Sequence, residues 1–347
     1  MWNTSSYALR AFLLTLMLAL LAASVCVYLD TPLPWMIGPL FATAGARLLQ
    51  APLYCPVPVR EAGQWAIGTA LGLYFTPAVI HILLTRLGLI AAGVAFALLL
   101  GVLCASLLRK LSGADRPTAF FAMAVGGASE MATQGERYGA AVEFVAAAHS
   151  LRIMMVVATI PFALKFFDVH GSDAYAPGTH EVAYIGLTAL VLVTTVTAVA
   201  LKRLGWPNAW VIGPLLMSIA LTANGVTLSA LPEWSIHLGQ LFIGISLGTR
   251  FTPTFLRAAP RFMISVMLCT VLALFLAAGF GWLLALVGGI HPATAILATS
   301  PGGIAEMSLT AKTLQLGVPI VTTFHVTRMA VLVLTIGPLF RLLNQPD

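Results

Sequence analysis

Gly126-Gly127-Ala128-Ser129-Glu130-Met131 recurs in this chain as Gly302-Gly303-Ile304-Ala305-Glu306-Met307. Paired glycines interrupt a helix, and a glutamate in apolar surroundings is costly unless it is wet or partnered. Each copy therefore reads as a broken or re-entrant helix whose opened backbone and carboxylate face a polar cavity.

The sequence around both copies is strongly apolar. Of 347 residues, 59% are hydrophobic and 9% charged, and the mean hydropathy is +0.96. A soluble domain carries about 25% charged residues, so this chain has too little charge to clothe a globular surface and reads as an all-α integral membrane protein. Its net charge of +6 sits in short clusters between apolar runs, a signal of topology rather than of nucleic-acid binding. Cys26, Cys55, Cys104 and Cys269 have neither metal nor redox spacing, so no disulfide framework or zinc site is expected. The histidines form no i,i+4 metal pair with a third ligand nearby, and there is no nucleophile elbow, P-loop or dinucleotide fingerprint. No enzyme activity, catalytic residue, metal or cofactor is expected.

Apolar runs fall at 8–29, 33–50, 62–81, 86–109, 116–134 and 141–167, and a second set at 182–203, 208–228, 235–256, 262–288, 292–310 and 317–341. The sets align. Trp35-Met36-Ile37-Gly38-Pro39-Leu40 matches Trp210-Val211-Ile212-Gly213-Pro214-Leu215. Gly63-Gln64, Gly68, Gly72 and Phe75-Thr76-Pro77 match Gly239-Gln240, Gly244, Gly248 and Phe251-Thr252-Pro253. His149 and Arg152 match His325 and Arg328. This is an internal duplication: a first membrane repeat over 1–167, a linker over 168–181 and a second repeat over 182–347. The segment Ala8–Val27 has the outline of a signal peptide, but its counterpart Val182–Leu201 lies in mid-chain, so both are expected to be retained helices.

Charge decides whether the copies are parallel or inverted. If each motif-bearing segment returns to its own side, each half makes five crossings and the second half is upside down. With the N-terminus inside, the inner loops hold Arg10, Arg47, Arg60, Arg109, Lys110, Arg116, Lys202, Arg203, Arg250, Arg257, Arg261 and Arg341, while the outer loops hold Arg86, Asp30, Asp173 and Glu233. Equivalent loops swap charge: Asp30 in one copy answers Lys202-Arg203 in the other, and basic 109–116 answers 288–291, which has no Lys or Arg. Inverted repeats obeying the positive-inside rule need that swap. The expected fold is two inverted-topology repeats with about ten transmembrane helices plus two re-entrant or broken segments. It would lie in the bacterial cytoplasmic membrane with both termini cytoplasmic.

Such repeats place a polar site near the bilayer midplane, where half-helix ends supply dipoles and unwound backbone supplies ligands. The candidate parts are Gly126, Gly127, Glu130, His149 and Arg152, duplicated as Gly302, Gly303, Glu306, His325 and Arg328. Gln64 and Gln240 add an amide to another run. In the functional reading, Glu130 and Glu306 bind a coupling proton or cation, and Arg152 and Arg328 set the carboxylates' ionisation or bind an anionic substrate. In the alternative, each Glu pairs with the Arg of its own repeat as a buried structural bridge. Each histidine is either a protonation switch or a hydrogen-bonded structural residue. The partners expected are lipid, a small solute and a coupling ion, with a homodimer left open and no nucleic acid.

The duplicated Trp-x-Ile-Gly-Pro-Leu, Gly-Gln…Gly…Phe-Thr-Pro and Gly-Gly-x-x-Glu-Met motifs resemble those of the AbrB family of bacterial membrane proteins over nearly the whole chain. That family shares its name with an unrelated soluble DNA-binding regulator, which this sequence does not resemble. Members are often labelled ammonia monooxygenases, a label without support in these residues because there is no copper-type histidine cluster. The resemblance implies an architecture like that of the inverted-repeat cation:proton antiporters and anion transporters. It also implies a link to regulation of gene expression, without an established mechanism. Two functions follow as expectations: an ion-coupled secondary transporter or exporter of a small solute, with anions among the candidates, and a membrane-embedded regulator that does not transport.

Overall fold

The computed structural model describes residues 3–171, 177, 181–251 and 259–343, and the regular elements among them are all α-helices. Thr252, Pro253 and Arg257, and most of the 168–181 linker with Asp173, lie outside the described residues. The first half contributes α1 (Asn3–Tyr28), α2 (Pro34–Leu48), α3 (Val57–Gly72), α4 (Pro77–Leu84), α5 (Leu87–Ser112), α6 (Arg116–Met123), α7 (Ala128–Arg137) and α8 (Val142–Phe166). The second contributes α9 (Tyr184–Arg203), α10 (Ala209–Ala223), α11 (Glu233–Gly248), α12 (Pro260–Gly288), α13 (Pro292–Thr299), α14 (Ile304–Thr313) and α15 (Val318–Leu343).

Among the described residues, six helices are long and apolar enough to cross a bilayer: α1, α5, α8, α9, α12 and α15. Helices α3 and α4 together form a seventh apolar run, bent by 84° at the break after Gly72. Helices α2 and α10, expected as spans over 33–50 and 208–228, are each 15 residues long. At 1.5 Å per residue that is about 22 Å, short of the roughly 30 Å of hydrocarbon. Helices α3 and α11, at 16 residues each, fall short in the same way, so length and composition by themselves support six or seven of the expected crossings.

Backbone conformation repeats between the halves even where the residue type does not. Left-handed φ values occur at Asp30 and Gly205, Leu33 and Asn208, Gln50 and Gly225, Gly113 and Gly289, and Gly139 and Gln315. Each pair occupies aligned positions. An L residue in this region is strained, so Leu33 and Gln315 keep a turn for which their own side chains have no preference.

The chain forms two compact units, and neither coincides with one repeat. One consists of Met1–Ile82 with Asp173–Pro253, the other of Leu83–Ser172 with Thr254–Asp347. Each draws on both halves of the sequence. In the first unit, α2 packs against α11 and α3 against α10, so each half is seated on the other. The motif glycines allow it. A Cβ on Gly68 would strike the Val211 carbonyl, and one on its counterpart Gly244 would lie 2.5 Å from the carbonyl oxygen of Met36, the counterpart of Val211. Gly63 and Gly239 meet each other where α3 crosses α11. A Cβ on Gly63 would lie 2.9 Å from the Gly239 oxygen and 3.3 Å from the Ile243 nitrogen, and one on Gly239 would lie 3.1 Å from Ile67 Cδ1. Earlier residues of one helix thus meet later residues of the other, and the pair runs antiparallel.

The second unit repeats that arrangement with α5 and α12. Phe96 stacks on Phe280 with ring centroids 4.1 Å apart. Cys104 Sγ lies 3.8 Å from the Cys269 carbonyl and Cys269 Sγ 3.7 Å from the Cys104 carbonyl. These helices, equivalent in sequence, also run antiparallel. Both thiols are buried, consistent with a packing role. The core beside them gathers Leu108, Phe121, Met131 and Val145 around the first break.

Two equivalent helix breaks, a candidate functional site

Both motifs lie in the second unit, and both are breaks between short helices. Helix α6 ends at Met123 and α7 begins at Ala128; α13 ends at Thr299 and α14 begins at Ile304. Gly127 and Gly303 are the N-caps of α7 and α14, extended at φ −74°, ψ 145° and φ −86°, ψ 164°. Glu130 and Glu306 therefore sit at the third position of their helices, where the positive end of the helix dipole favours a carboxylate.

The spacing of the motif has a packing reason. A Cβ on Gly126 would lie 2.9 Å from Met131 Cε, and one on Gly302 2.7 Å from Met307 Cγ. The methionine closes over the first glycine of each pair. A Cβ on Gly303 would collide with the Glu306 carboxylate, which folds back over the start of its own helix. Glu306 is buried, whereas Glu130 is half-buried.

The carbonyls freed by each break are held by the long helix that follows. On α8, Arg152 Nη1 donates to the Ala124 carbonyl at 2.9 Å and Nη2 to the Gly126 carbonyl at 3.2 Å. On α15, Arg328 Nη1 donates to the Ser300 carbonyl at 2.7 Å and Nη2 to the Gly302 carbonyl at 2.6 Å. The guanidiniums thus cap the C-terminal ends of α6 and α13, where carbonyl oxygens lack helical donors and the dipole favours a cation. Two broken helices leave two sets of bare carbonyls, and a buried cation is a suitable donor to them.

His149 and His325 complete each cap. Arg152 Nη2 lies 2.9 Å from His149 Nδ1, and His149 Nε2 lies 2.9 Å from the Phe121 carbonyl. The second half gives 2.9 Å from Arg328 Nη2 to His325 Nδ1 and 2.9 Å from His325 Nε2 to the Leu297 carbonyl. Arginine can only donate, so Nδ1 accepts and Nε2 carries the proton given to the carbonyl. This geometry fits a neutral, hydrogen-bonded histidine better than a protonation switch, because a proton on Nδ1 would break the bond to arginine.

Two further paired residues carry no obvious signal in the sequence. Thr118 Oγ1 accepts from Ala141 N–H at 2.8 Å, and Thr294 Oγ1 accepts from Gly317 N–H at 3.1 Å. Each ties the entry of the long helix to the start of the short one. The halves also differ. In the second, Thr322 Oγ1 donates to Ser308 Oγ at 2.9 Å, both buried, where the first has Ala146 and Ala132. The predicted Gln64 and Gln240 lie on α3 and α11, which belong to the first unit.

The family model described as transition state regulatory protein AbrB matches residues 35–344. The chain is 25% identical over 338 residues to the uncharacterized protein YhjN of Bacillus subtilis (strain 168), covering 89% of this chain and 87% of that one. It is 25% identical over 325 residues, 92% of each chain, to a protein of Escherichia coli (strain K12) whose name designates it a regulator, AbrB.

Proposed function

We propose that this chain, which belongs to the AbrB family, is an ion-coupled secondary transporter or exporter of a small solute in the bacterial cytoplasmic membrane. The observation that carries this reading is the pairing of the two breaks within one compact unit. Each opens a backbone, places a carboxylate at a helix start and is braced by a buried arginine and histidine. Intramembrane ionisable groups beside discontinuous helices are the parts from which solute and ion sites are built. Glu130 and Glu306 take the coupling proton or cation, and the unit that contains them moves during transport.

Inverted repeats with about ten crossings belong to the same reading. The antiparallel crossing of equivalent helices, α3 with α11 and α5 with α12, supports it. A two-fold axis in the membrane plane makes any helix that meets its own counterpart run against it. On this reading the short helices α2, α3, α10 and α11 cross as well, and the basic loops and both termini face the cytoplasm.

The name of the Escherichia coli relative supports a second reading, a membrane-embedded regulator without transport. A proteoliposome flux screen against a panel of solutes and ions separates the two. Transport predicts flux for at least one solute, abolished by Glu130→Gln or Glu306→Gln in protein that keeps its helical content. Absence of flux for every solute and ion, with an effect on gene expression intact in cells, would leave regulation as the function.

A further inference from the structure

The two breaks share a backbone design but not the contacts that hold it. On the second, three hydroxyls make ties for which the first has no residues. Thr322 Oγ1 on α15 donates to Ser308 Oγ on α14 at 2.9 Å, and both side chains are wholly buried. The aligned residues are Ala146 and Ala132. Thr299, the last residue of α13, has its Oγ1 3.0 Å from the Ala277 carbonyl on α12 and 2.9 Å from the Ala295 carbonyl of its own helix. The residue aligned with it is Met123.

Packing divides the breaks in the same way. A Cβ on Gly281 of α12 would lie 2.7 Å from Ile296 Cα and 2.7 Å from Thr299 Oγ1, so α12 presses directly on α13. The aligned residue of α5 is Ala105. On that side the closest glycine contact is looser: a Cβ on Gly101 would lie 3.4 Å from Ala124 Cα. Helices α5, α6 and α15 leave a partly open apolar hollow there, about 190 Å³ of empty space counting what opens outward, lined by Ala97, Gly101, Phe120, Ala124, Val125 and Leu332. Ala124 and Val125 belong to the break itself. Close packing and interhelical hydrogen bonds resist displacement, whereas backbone beside empty space lacks contacts on that side and gives way more readily.

We infer that the first break is the moving member of the pair: residues 124–130 shift toward the hollow and back, while the second break, fixed by Thr299, Ser308 and Thr322, is the stationary half of the site. Glu130 is then the carboxylate whose surroundings change during a cycle. Glu306, buried, is the one whose surroundings persist. Ser308 and Thr322 are positioning residues. The difference in stiffness stands on the contacts alone, and its place in a transport cycle rests on the transporter reading.

Hydrogen–deuterium exchange of the full-length protein in nanodiscs tests this, read by mass spectrometry on peptides covering 124–130 and 300–306. After correction for intrinsic rates, 124–130 is expected to exchange about tenfold faster or more. Ser308→Ala combined with Thr322→Ala should speed 300–306 roughly two- to tenfold, the range of one net hydrogen bond, and leave 124–130 unchanged. The reverse graft, Ala132→Ser with Ala146→Thr, should slow 124–130 by a similar factor. It should also cut the flux of whichever solute the proteoliposome panel passes, without lowering the melting midpoint, a combination that a purely structural bond would not produce. Exchange at 300–306 as fast as at 124–130 would overturn the inference. So would a folded graft that leaves 124–130 unslowed, or one that slows it with flux intact. Where the graft does not fold, the comparison of the two peptides in the unmodified chain decides. Unequal exchange without flux for any solute would keep the asymmetry of the breaks and remove the transporter reading; flux with equal exchange would do the opposite.

Discussion

Gly63 and Gly239 occupy the same place in the two halves of the sequence and face each other across the crossing of α3 and α11. A Cβ on Gly63 would lie 2.9 Å from the Gly239 oxygen and 2.9 Å from Phe242 Cβ. Backbone cannot yield there as the tip of a flexible side chain can. Gly63→Val is expected to cost about 1–3 kcal/mol, read as a lower thermal unfolding midpoint in detergent. A variant that melts with the wild type would show that the helices do not approach this closely.

Removing either guanidinium uncovers two carbonyls inside the protein. Arg152→Ala and Arg328→Ala are each expected to destabilise by about 3 kcal/mol, since an unsatisfied buried group costs about 1–3 kcal/mol and bonds from a charged donor lie at the upper end. Arg→Lys should recover less than half, because an ammonium cannot span two carbonyls and a histidine as a planar fork does. Denaturation midpoints of the four variants make the comparison. Full rescue by lysine would mean that charge, rather than capping geometry, holds the break.

The glycines of the two motifs should not be equally tolerant. A Cβ on Gly126 would meet Met131 first, at 2.9 Å from Cε and 3.0 Å from Cγ, whereas one on Gly302 is caught between Met307 Cγ at 2.7 Å and Val156 Cγ1 at 3.0 Å. Gly302→Ala should be more destabilising than Gly126→Ala by about 1–2 kcal/mol. Gly303→Ala displaces the Glu306 carboxylate from the start of α14, so it should reduce flux at least tenfold with a smaller loss of stability, read by paired flux and melting assays. Equal melting of Gly126→Ala and Gly302→Ala would count against the asymmetry.

Membrane orientation offers a test independent of any solute. On the inverted reading, reporter fusions in the 109–116 loop report the cytoplasm and fusions at 288–291 report the opposite side. The same side for both would dismantle the inverted repeat, and with it the two-fold relation proposed for α5 and α12.

Much of this was legible in the residues. Low charge and high hydropathy pointed to a membrane protein, and six helices are long and apolar enough to cross one; the twelve apolar runs correspond to α1–α15 because hydrophobic length and Gly or Pro interruptions are local properties. The doubled Gly-Gly marked both helix breaks at their observed places. Which residues hold the breaks open was only half legible: spacing put His149 with Arg152 and His325 with Arg328 on one face each, but did not say what that face would meet.

By itself the sequence determined an internal duplication, apolar runs of helical and membrane-compatible length, and two interrupted segments, since periodicity, composition and self-similarity need no knowledge of where the chain returns. Only the tertiary structure decided that each compact unit is assembled from both halves, and that the buried arginines hold the carbonyls freed at the breaks. Both depend on contacts between residues far apart in the chain. A buried cation bonds to whichever acceptors the fold leaves bare within its reach, and that is a property of the packed helices rather than of the arginine.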